Sequence, residues 1–413
     1  MIFVLVFRNL FRRKKRTLVT AMSVALGVWI AALAIGTREY TYQRLMEVSS
    51  QLAYGNLTLA SQDFFLGDYK NPIKGYEALV KELKESHPEI KDIIPRLMGE
   101  AYIASSENDA SVGFMAMDPE RETEQTSIIM GHMVEGRFIH ESLDHQVNIG
   151  HILAQKLMVT LGDEIIYTTT DFKGEVTSYS AEVVGIFATG NQNTDRHVII
   201  FPLKQAKEDL HYPNDHTQFL SLFVAHHELT NDLFNSLHKN PRWPSPIKLF
   251  HWSETQGSLA SFVSGHRIMT YLMIFFLLLV ISSGIFTCTI INVVERRKEI
   301  GTMLALGMGP TQIFSMIILE SLVISFLGCG MGWILVSPFH HYLAHYGWDM
   351  TPYFGENYAA GGVELGRYVM KSTITWAATG MIIASLFVLT ILAATGPAIR
   401  AVQISPIKAI SEE

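Results

Sequence analysis

Several groupings of reactive side chains can be weighed against a reaction. His140 and Glu141 are followed by His145, which spells H-E-x-x-x-H. A zinc protease needs H-E-x-x-H, which sets both imidazoles one helical turn apart on one face. This segment has one residue too many. His226-His227-Glu228 has no further histidine at a ligating offset. His340, His341 and His345 contain an i, i+4 pair, a spacing that surface histidines adopt without a metal. No metal ligand and no catalytic residue is therefore expected. No stretch matches G-x-x-x-x-G-K-[ST], so the chain has no phosphate-cradling loop, and any ATP it uses is expected on a separate subunit. The two cysteines, Cys288 and Cys329, both fall in apolar runs, which leaves the polar middle without a disulfide.

Glu320 is the one carboxylate deep inside an apolar run, where an ionised group is expensive. Its functional reading is a proton or gating site. A relay needs a second buried ionisable group, and none stands beside it in the apolar runs. A structural role, hydrogen-bonded to a neighbouring helix or reaching towards the cytoplasmic side, is preferred. In the same run Gly328 and Gly332 have the G-x-x-x-G spacing that lets two helices approach closely, with Gly330 between them.

The elements that hold these residues are set by apolar length. Four runs, Leu18–Ile35, Tyr271–Val294, Ile313–Val336 and Thr373–Ala394, each suffice to cross a bilayer, which takes about 20 helical residues. The hydrophobic fraction of 48% is diluted by a long polar middle, so the local runs carry the membrane assignment. The first run follows Arg8, Arg12, Arg13, Lys14, Lys15 and Arg16, and Ala32-Leu33-Ala34 offers an A-x-A cleavage pattern. Against cleavage, the run is longer than a usual signal core and its helix continues through Arg38 and Tyr42, so an uncleaved anchor is preferred. Basic residues also mark Arg296-Arg297-Lys298 and the tail with Arg400 and Lys408. Four crossings place all three clusters on one side, expected to be cytoplasmic. The net charge of -7, with cations crowded at the N-terminus, argues for membrane orientation and against nucleic-acid binding.

The expected organisation follows. A basic cytoplasmic segment (1–17) precedes the first span (18–37) and a large extracytoplasmic domain (38–267). The second span (268–294), a cytoplasmic segment (295–312) and the third span (313–336) come next. An outer loop (337–372), the fourth span (373–396) and a cytoplasmic tail (397–413) complete it. Within the large domain, Tyr76–Ser86 and Ile149–Leu161 have helical spacing. Glu164–Thr170, Tyr179–Phe187 and Arg196–Phe201 read as strands. Gly162-Asp163 and Gly190-Asn191 read as turns, and 241–246 as a stiff linker or edge. The segment from Glu295 to Met308 begins with charges, Glu295, Arg296, Arg297, Lys298 and Glu299. It carries apolar Ile300, Met303, Leu304 and Leu306 and ends near Gly307, as a short amphipathic helix on the membrane surface would.

That segment, Glu295-Arg296-Arg297-Lys298-Glu299-Ile300-Gly301-Thr302-Met303-Leu304-Ala305-Leu306-Gly307-Met308, resembles the ERRREIGILRALGA signature of the FtsX/MacB-type ABC transporter permeases. Other segments resemble the family in order along nearly the whole chain. They are Phe7-Arg8-Asn9-Leu10-Phe11-Arg12, Glu135-Gly136-Arg137-Phe138, Val147 to Asp163, Val183-Val184-Gly185-Ile186-Phe187, and Pro397-Ala398-Ile399-Arg400-Ala401 with Pro406, Ala409 and Ile410. The size and the outer loop with His345-Tyr346-Gly347-Trp348-Asp349 look most like the lipoprotein-releasing (LolC/LolE-like) branch.

The resemblance implies a four-helix integral membrane protein with a mixed α+β extracytoplasmic domain of the MacB periplasmic-core type. It implies a permease that is not an enzyme by itself, binds no cofactor directly, and uses ATP and Mg through a partner ATPase present in two copies. A second permease, identical or related, would complete the assembly in the bacterial inner membrane, with both termini cytoplasmic and the large domain periplasmic. The expected work is mechanical: nucleotide-driven motion passes along the first helix and the helix entering the second run. So few polar residues in the spans offer little for a channel. Lipoprotein release, or transport of another amphipathic cargo within membrane lipid, is the first expectation. Peptide or drug export, or regulation of cell-wall enzymes, is the alternative within the family. A receptor with a ligand-binding ectodomain is the alternative outside it. The resemblance implies that Arg296, Arg297, Lys298 and Glu299, with Glu295, contact the ATPase. Ile300, Met303 and Leu304, with Gly301 and Gly307, would seat that contact.

Overall fold

The computed structural model describes residues 6, 8, 9, 12, 14–67, 71–141, 145–239, 243–355, 358–360, 363–366 and 368–405. Phe7, Leu10, Phe11, Pro406, Ala409 and Ile410 of the segments quoted above lie outside the described residues, as do Pro241 and Arg242. The chain forms two compact units, one of residues 1–41, 265–349 and 369–413, the other of residues 42–264 and 350–368.

The first unit is helical. Among the described residues, four helices are long and apolar enough to cross a membrane. These are α1 (Lys14–Leu52), α2 (Gly257–Glu295), α4 (Pro310–His345) and α5 (Trp376–Val402), with the short α3 (Arg297–Ala305) between α2 and α4. α1 and α2 each contribute residues to both units. Pro310 occupies the first turn of α4, where its missing N–H costs nothing. The Thr375 hydroxyl accepts from Ala378 N at 3.2 Å and caps α5. Leu18, Val19, Met22 and Leu26 of α1 and Phe275, Phe276, Leu279 and Val280 of α2 are exposed, a surface that hydrocarbon tolerates and water does not.

α4 packs on α1 through glycine. A Cβ added at Gly328 would stand 2.5 Å from Val24 Cβ and 2.8 Å from the Ala21 carbonyl. At Gly332 it would stand 2.8 Å from the Ala25 carbonyl. Gly330 faces open space, so only the i, i+4 pair is needed for the close approach. Hydroxyls join the remaining helices: Ser325 and Thr390 lie 2.6 Å apart, and Thr289 and Ser321 3.3 Å apart.

The second unit is built on ten strands. They are β1 (Leu57–Ser61), β2 (Ile90–Ala104), β3 (Asp109–Met117), β4 (Met133–Gly136), β5 (Gln146–Gly150), β6 (Glu164–Thr170), β7 (Val176–Phe187), β8 (Val198–Pro202), β9 (Phe219–Val224) and β10 (Ile247–His251). The order is β10-β1-β9-β2-β3-β8-β5-β7-β4, and β6 pairs with both β2 and β7. That pairing closes β2, β3, β8, β5, β7 and β6 into a ring, leaving β10-β1-β9 as an open arm on β2. All pairs are antiparallel except β3–β8 and β5–β7.

Alternation along the strands sorts the two faces of the ring. Phe114, Ala116, Ile199 and Phe201 point into it with Leu97, Ile103, Val147, Ile165 and Val183. Their neighbours Met115, Met117 and Ile200 point outward, where Leu45, Met46 and Val48 of α1 and Leu259 of α2 cover them. The arm buries Leu57, Leu59, Leu220 and Leu222 beneath the helices Tyr76–Ser86 and Thr230–Lys239.

Three segments differ from the sequence expectation. The helix expected over 149–161 is confined to His151–Leu157, because Ile149 belongs to β5 and Met158 turns left-handed at φ 56°. The strand expected from Arg196 begins at Val198, since Asn191 caps a helical turn over Gln192–His197. Trp243, in the expected linker, is buried against the arm.

Candidate functional site

The segment between α2 and α4 turns through one residue. α2 ends at Glu295, α3 begins at Arg297, and Arg296 between them sits at φ −100°, ψ 16°. α3 ends in a left-handed turn at Gly307, φ +91°. Gly307 N donates to Leu304 O at 3.1 Å and Met308 N to Met303 O at 3.0 Å, the paired bonds of a Schellman stop. Met303 and Met308 pack into the same cluster, the apolar contact that accompanies such a stop. Gly307 therefore serves the geometry of the helix end.

One face of α3 belongs to the chain's own bundle. Ile300 is 1% exposed among Val293, Ile313, Ile317, Ala398 and Ala401, with Met303 and Leu304 partly buried against them. Gly301 is buried as well. The opposite face is free of this packing: Lys298, Thr302, Ala305 and Gly307 are exposed, and Leu306 is 83% exposed. Lys298, Thr302 and Leu306 step by four, so they line one side of the helix and its end. Leu306, grouped by sequence with the apolar Ile300, Met303 and Leu304, parts from them and faces outward, while Thr302 and Ala305 were not singled out from sequence, although stepping outward from Ile300 by helical period finds them.

The charged residues divide in the same way. Arg296 turns inward: its Nη1 donates to Glu320 Oε1 at 2.8 Å and Oε2 at 3.1 Å, and its Nε to Glu299 Oε2 at 3.1 Å. Burial alone would depress the arginine pKa, but Glu320 and Glu299 outweigh it and raise the value above the ordinary one. The expectation that Glu320 stands without an ionisable partner is corrected here, because Arg296 folds back from the helix corner to reach it. Asn9 Nδ2 also donates to Glu320, at 2.7 Å. Arg12 pairs with Glu299 at 2.9 Å, and Arg16 pairs with Glu295 at 3.1 Å while donating to the Cys288 carbonyl at 2.6 Å. Arg297 is half-buried and Lys298 exposed.

The histidines stay dispersed in role. His341 and His345 lie ring to ring at 4.2 Å, and His340 Nδ1 meets the Ser372 hydroxyl at 3.0 Å. His227 Nδ1 lies 3.1 Å from Asn56 Nδ2. Among the described residues, no three His, Cys, Asp or Glu side chains converge on a common point. Around α3 the arrangement is a short helix clamped on one side and open on the other.

Residues 17–230 match the family of MacB-like periplasmic core domains, and residues 271–406 match the FtsX-like permease C-terminal family. Two solved structures are similar. One is the extracellular domain of the noncanonic ABC-type transporter YknZ from Gram-positive bacteria. It is 13% identical, with 47% of this chain and 99% of that one covered at a TM-score of 0.33. The other is the periplasmic region of MacB from Actinobacillus actinomycetemcomitans, 11% identical, with 49% and 92% covered at a TM-score of 0.33. No curated protein sequence matches the chain.

Proposed function

The chain belongs to the FtsX/MacB-type permeases of ABC transporters, and from that premise we propose that it carries ATP-driven motion from a cytoplasmic ATPase to its periplasmic domain in order to release or transport lipoproteins from the bacterial inner membrane. Members of this family are transmembrane components whose ATPase partner is a separate subunit. Two copies of that subunit, loaded with ATP and Mg, would dock beneath a pair of permeases, identical or related. The observation that carries the reading is the division of α3 into a face seated on its own bundle and a face ending in the exposed Leu306. Leu306 ends a face that the chain's own packing leaves open, and a partner docked on that face would cover it. Motion at that face moves the bundle, since Ile300 ties α3 to α4 and α5.

Orientation rests on charge. The basic residues beside α1 and α2, with Arg400, belong on the cytoplasmic side, which places the ten-stranded unit outside. The lipoprotein cargo rests on the outer loop's likeness to the LolC/LolE branch.

The test is a mild-detergent purification of the tagged chain from its native membrane, followed by mass spectrometry. A stoichiometric P-loop ATPase, lost on Leu306→Asp with Lys298→Glu, supports the docking face. Lipoprotein in the same preparation supports the cargo, whereas a peptide exporter's partners or a cell-wall hydrolase in its place would move the assignment within the family. Absence of any ATPase would leave a receptor-like ectodomain as the better account.

A further inference from the structure

The corner between α2 and α3 is one residue wide, and that residue's side chain is the one locked into the membrane bundle. Hydrogen bonds run on either side of it: Arg296 N donates to Asn292 O at 3.1 Å, and Ile300 N to Arg296 O at 2.9 Å. The backbone at Arg296 lies near the sparsely populated bridge region, where a small change in dihedral angles redirects the following helix. A joint of this kind would absorb a push on α3 by flexing.

Glu320 opposes that flexing. It lies ten residues beyond Pro310, about 15 Å along the axis of α4 at about 1.5 Å per residue. Its side chain is 10% exposed and that of Arg296 11% exposed. Both carboxylate oxygens accept from Arg296, and Asn9 joins from the N-terminal segment. From Arg296 the chain of contacts continues to Glu299, one turn along α3, and on to Arg12. Three arginines (12, 16 and 296) face three glutamates (295, 299 and 320), each with a partner of opposite sign. The cluster is therefore self-neutralised, which disfavours a site for a phosphate or a cation. A buried ion pair adds little net stability over an apolar replacement but penalises any geometry that separates its charges. That is the property a stiff joint requires.

We propose that Glu320 is the positioning residue of the coupling segment: by holding Arg296 against α4 and Asn9, it makes the α2–α3 corner rigid, so that displacement of α3 is delivered to the membrane helices instead of being lost in the corner. This rests on the functional reading above. The carboxylate enters the bilayer span to reach the guanidinium of the corner, which accounts for its presence at an expensive depth.

The test uses the full chain with its ATPase in lipid nanodiscs, probed with ATP and vanadate. The readout is the nucleotide-dependent change in amide hydrogen exchange over residues 38–52 and the strands. Glu320→Gln keeps the shape and a hydrogen-bond acceptor and removes the charge. It is expected to retain the ATPase at wild-type stoichiometry and to lose the nucleotide-dependent exchange change. The double variant Arg296→Met with Glu320→Leu fills the site with apolar atoms and should also lose the change while remaining folded. A wild-type exchange response in either variant overturns the proposal, because packing alone would then suffice. A wild-type chain that holds no ATPase overturns the functional reading first, and the proposal with it.

Discussion

Replacing Glu122 by alanine strands the Arg96 guanidinium in the interior of the ten-stranded unit. Both side chains are fully buried. Arg96 Nε donates to Glu122 Oε1 at 2.8 Å and Nη2 to Oε2 at 2.9 Å. Nη2 also donates to Thr126 O at 2.9 Å, and Nη1 to the carbonyl of Ala53, the residue after α1 ends. The pair thus ties β2, the 118–127 loop and the C-terminal end of α1 together. Removing one partner of a buried pair costs about 3–5 kcal/mol. For a unit of this size about 2–4 °C is lost per kcal/mol, so the ectodomain transition should fall by about 6–20 °C. The double variant Arg96→Met with Glu122→Leu should recover part of this. Thr126 O is left without its donor, at about 1–3 kcal/mol, whereas Ala53 O keeps the Ser221 hydroxyl at 2.7 Å. Thermal unfolding of the detergent-purified chain, followed by tryptophan fluorescence with Trp29, Trp333, Trp348 and Trp376 replaced by phenylalanine so that Trp243 and Trp252 report, measures both. A drop of under about 2 °C for Glu122→Ala, or a double variant less stable than the single one, would refute the reasoning.

Gly332→Val should destabilise the membrane bundle by about 1–3 kcal/mol, because the new Cβ meets the Ala25 carbonyl, which cannot rotate away; Gly330→Val, into open space, should not, and thermal aggregation in detergent compares the two. Gly307→Ala should cost about 1–2 kcal/mol by forcing a side chain into the left-handed turn, seen as faster proteolysis after α3. Burial lowers the pKa of His227 and of His251. Their contribution to ectodomain stability is therefore complete above the unfolded histidine value, about 6.5, and is lost as pH falls below it. Urea midpoints at pH values on either side should show this loss, and the variant with asparagine at both positions should flatten it.

The membrane helices were legible because length and apolarity alone decide them, and Gly328 and Gly332 because their spacing falls on one face. The charged start of α3 was legible too, but the direction of each charge was not. Arg296 and Glu320 are separated by a helix corner, and only the corner's angle turns the arginine inward; charge reversal at Arg296 would consequently disturb the bundle as well as any docking face. The closed ring was hidden for a different reason. β2 contains Pro95, which reads as a breaker, yet pairing with β3 starts at Arg96, so Pro95 has β9 on one side and needs no second donor. β3, rich in alanine, methionine and glycine, has weak strand propensity and is held by β2 and β8, which lie on both sides of it.

Site-specific photo-crosslinking along α3 tests the central claim most directly. A photoreactive residue at Lys298, Thr302 or Leu306 should yield an adduct with the ATPase subunit, and one at Ile300 should react only within the chain. Equal ATPase adducts from Ile300 and Leu306, or none from any of the exposed positions in a preparation that contains the ATPase, would contradict the assignment of α3 as the element through which nucleotide-driven motion enters the membrane.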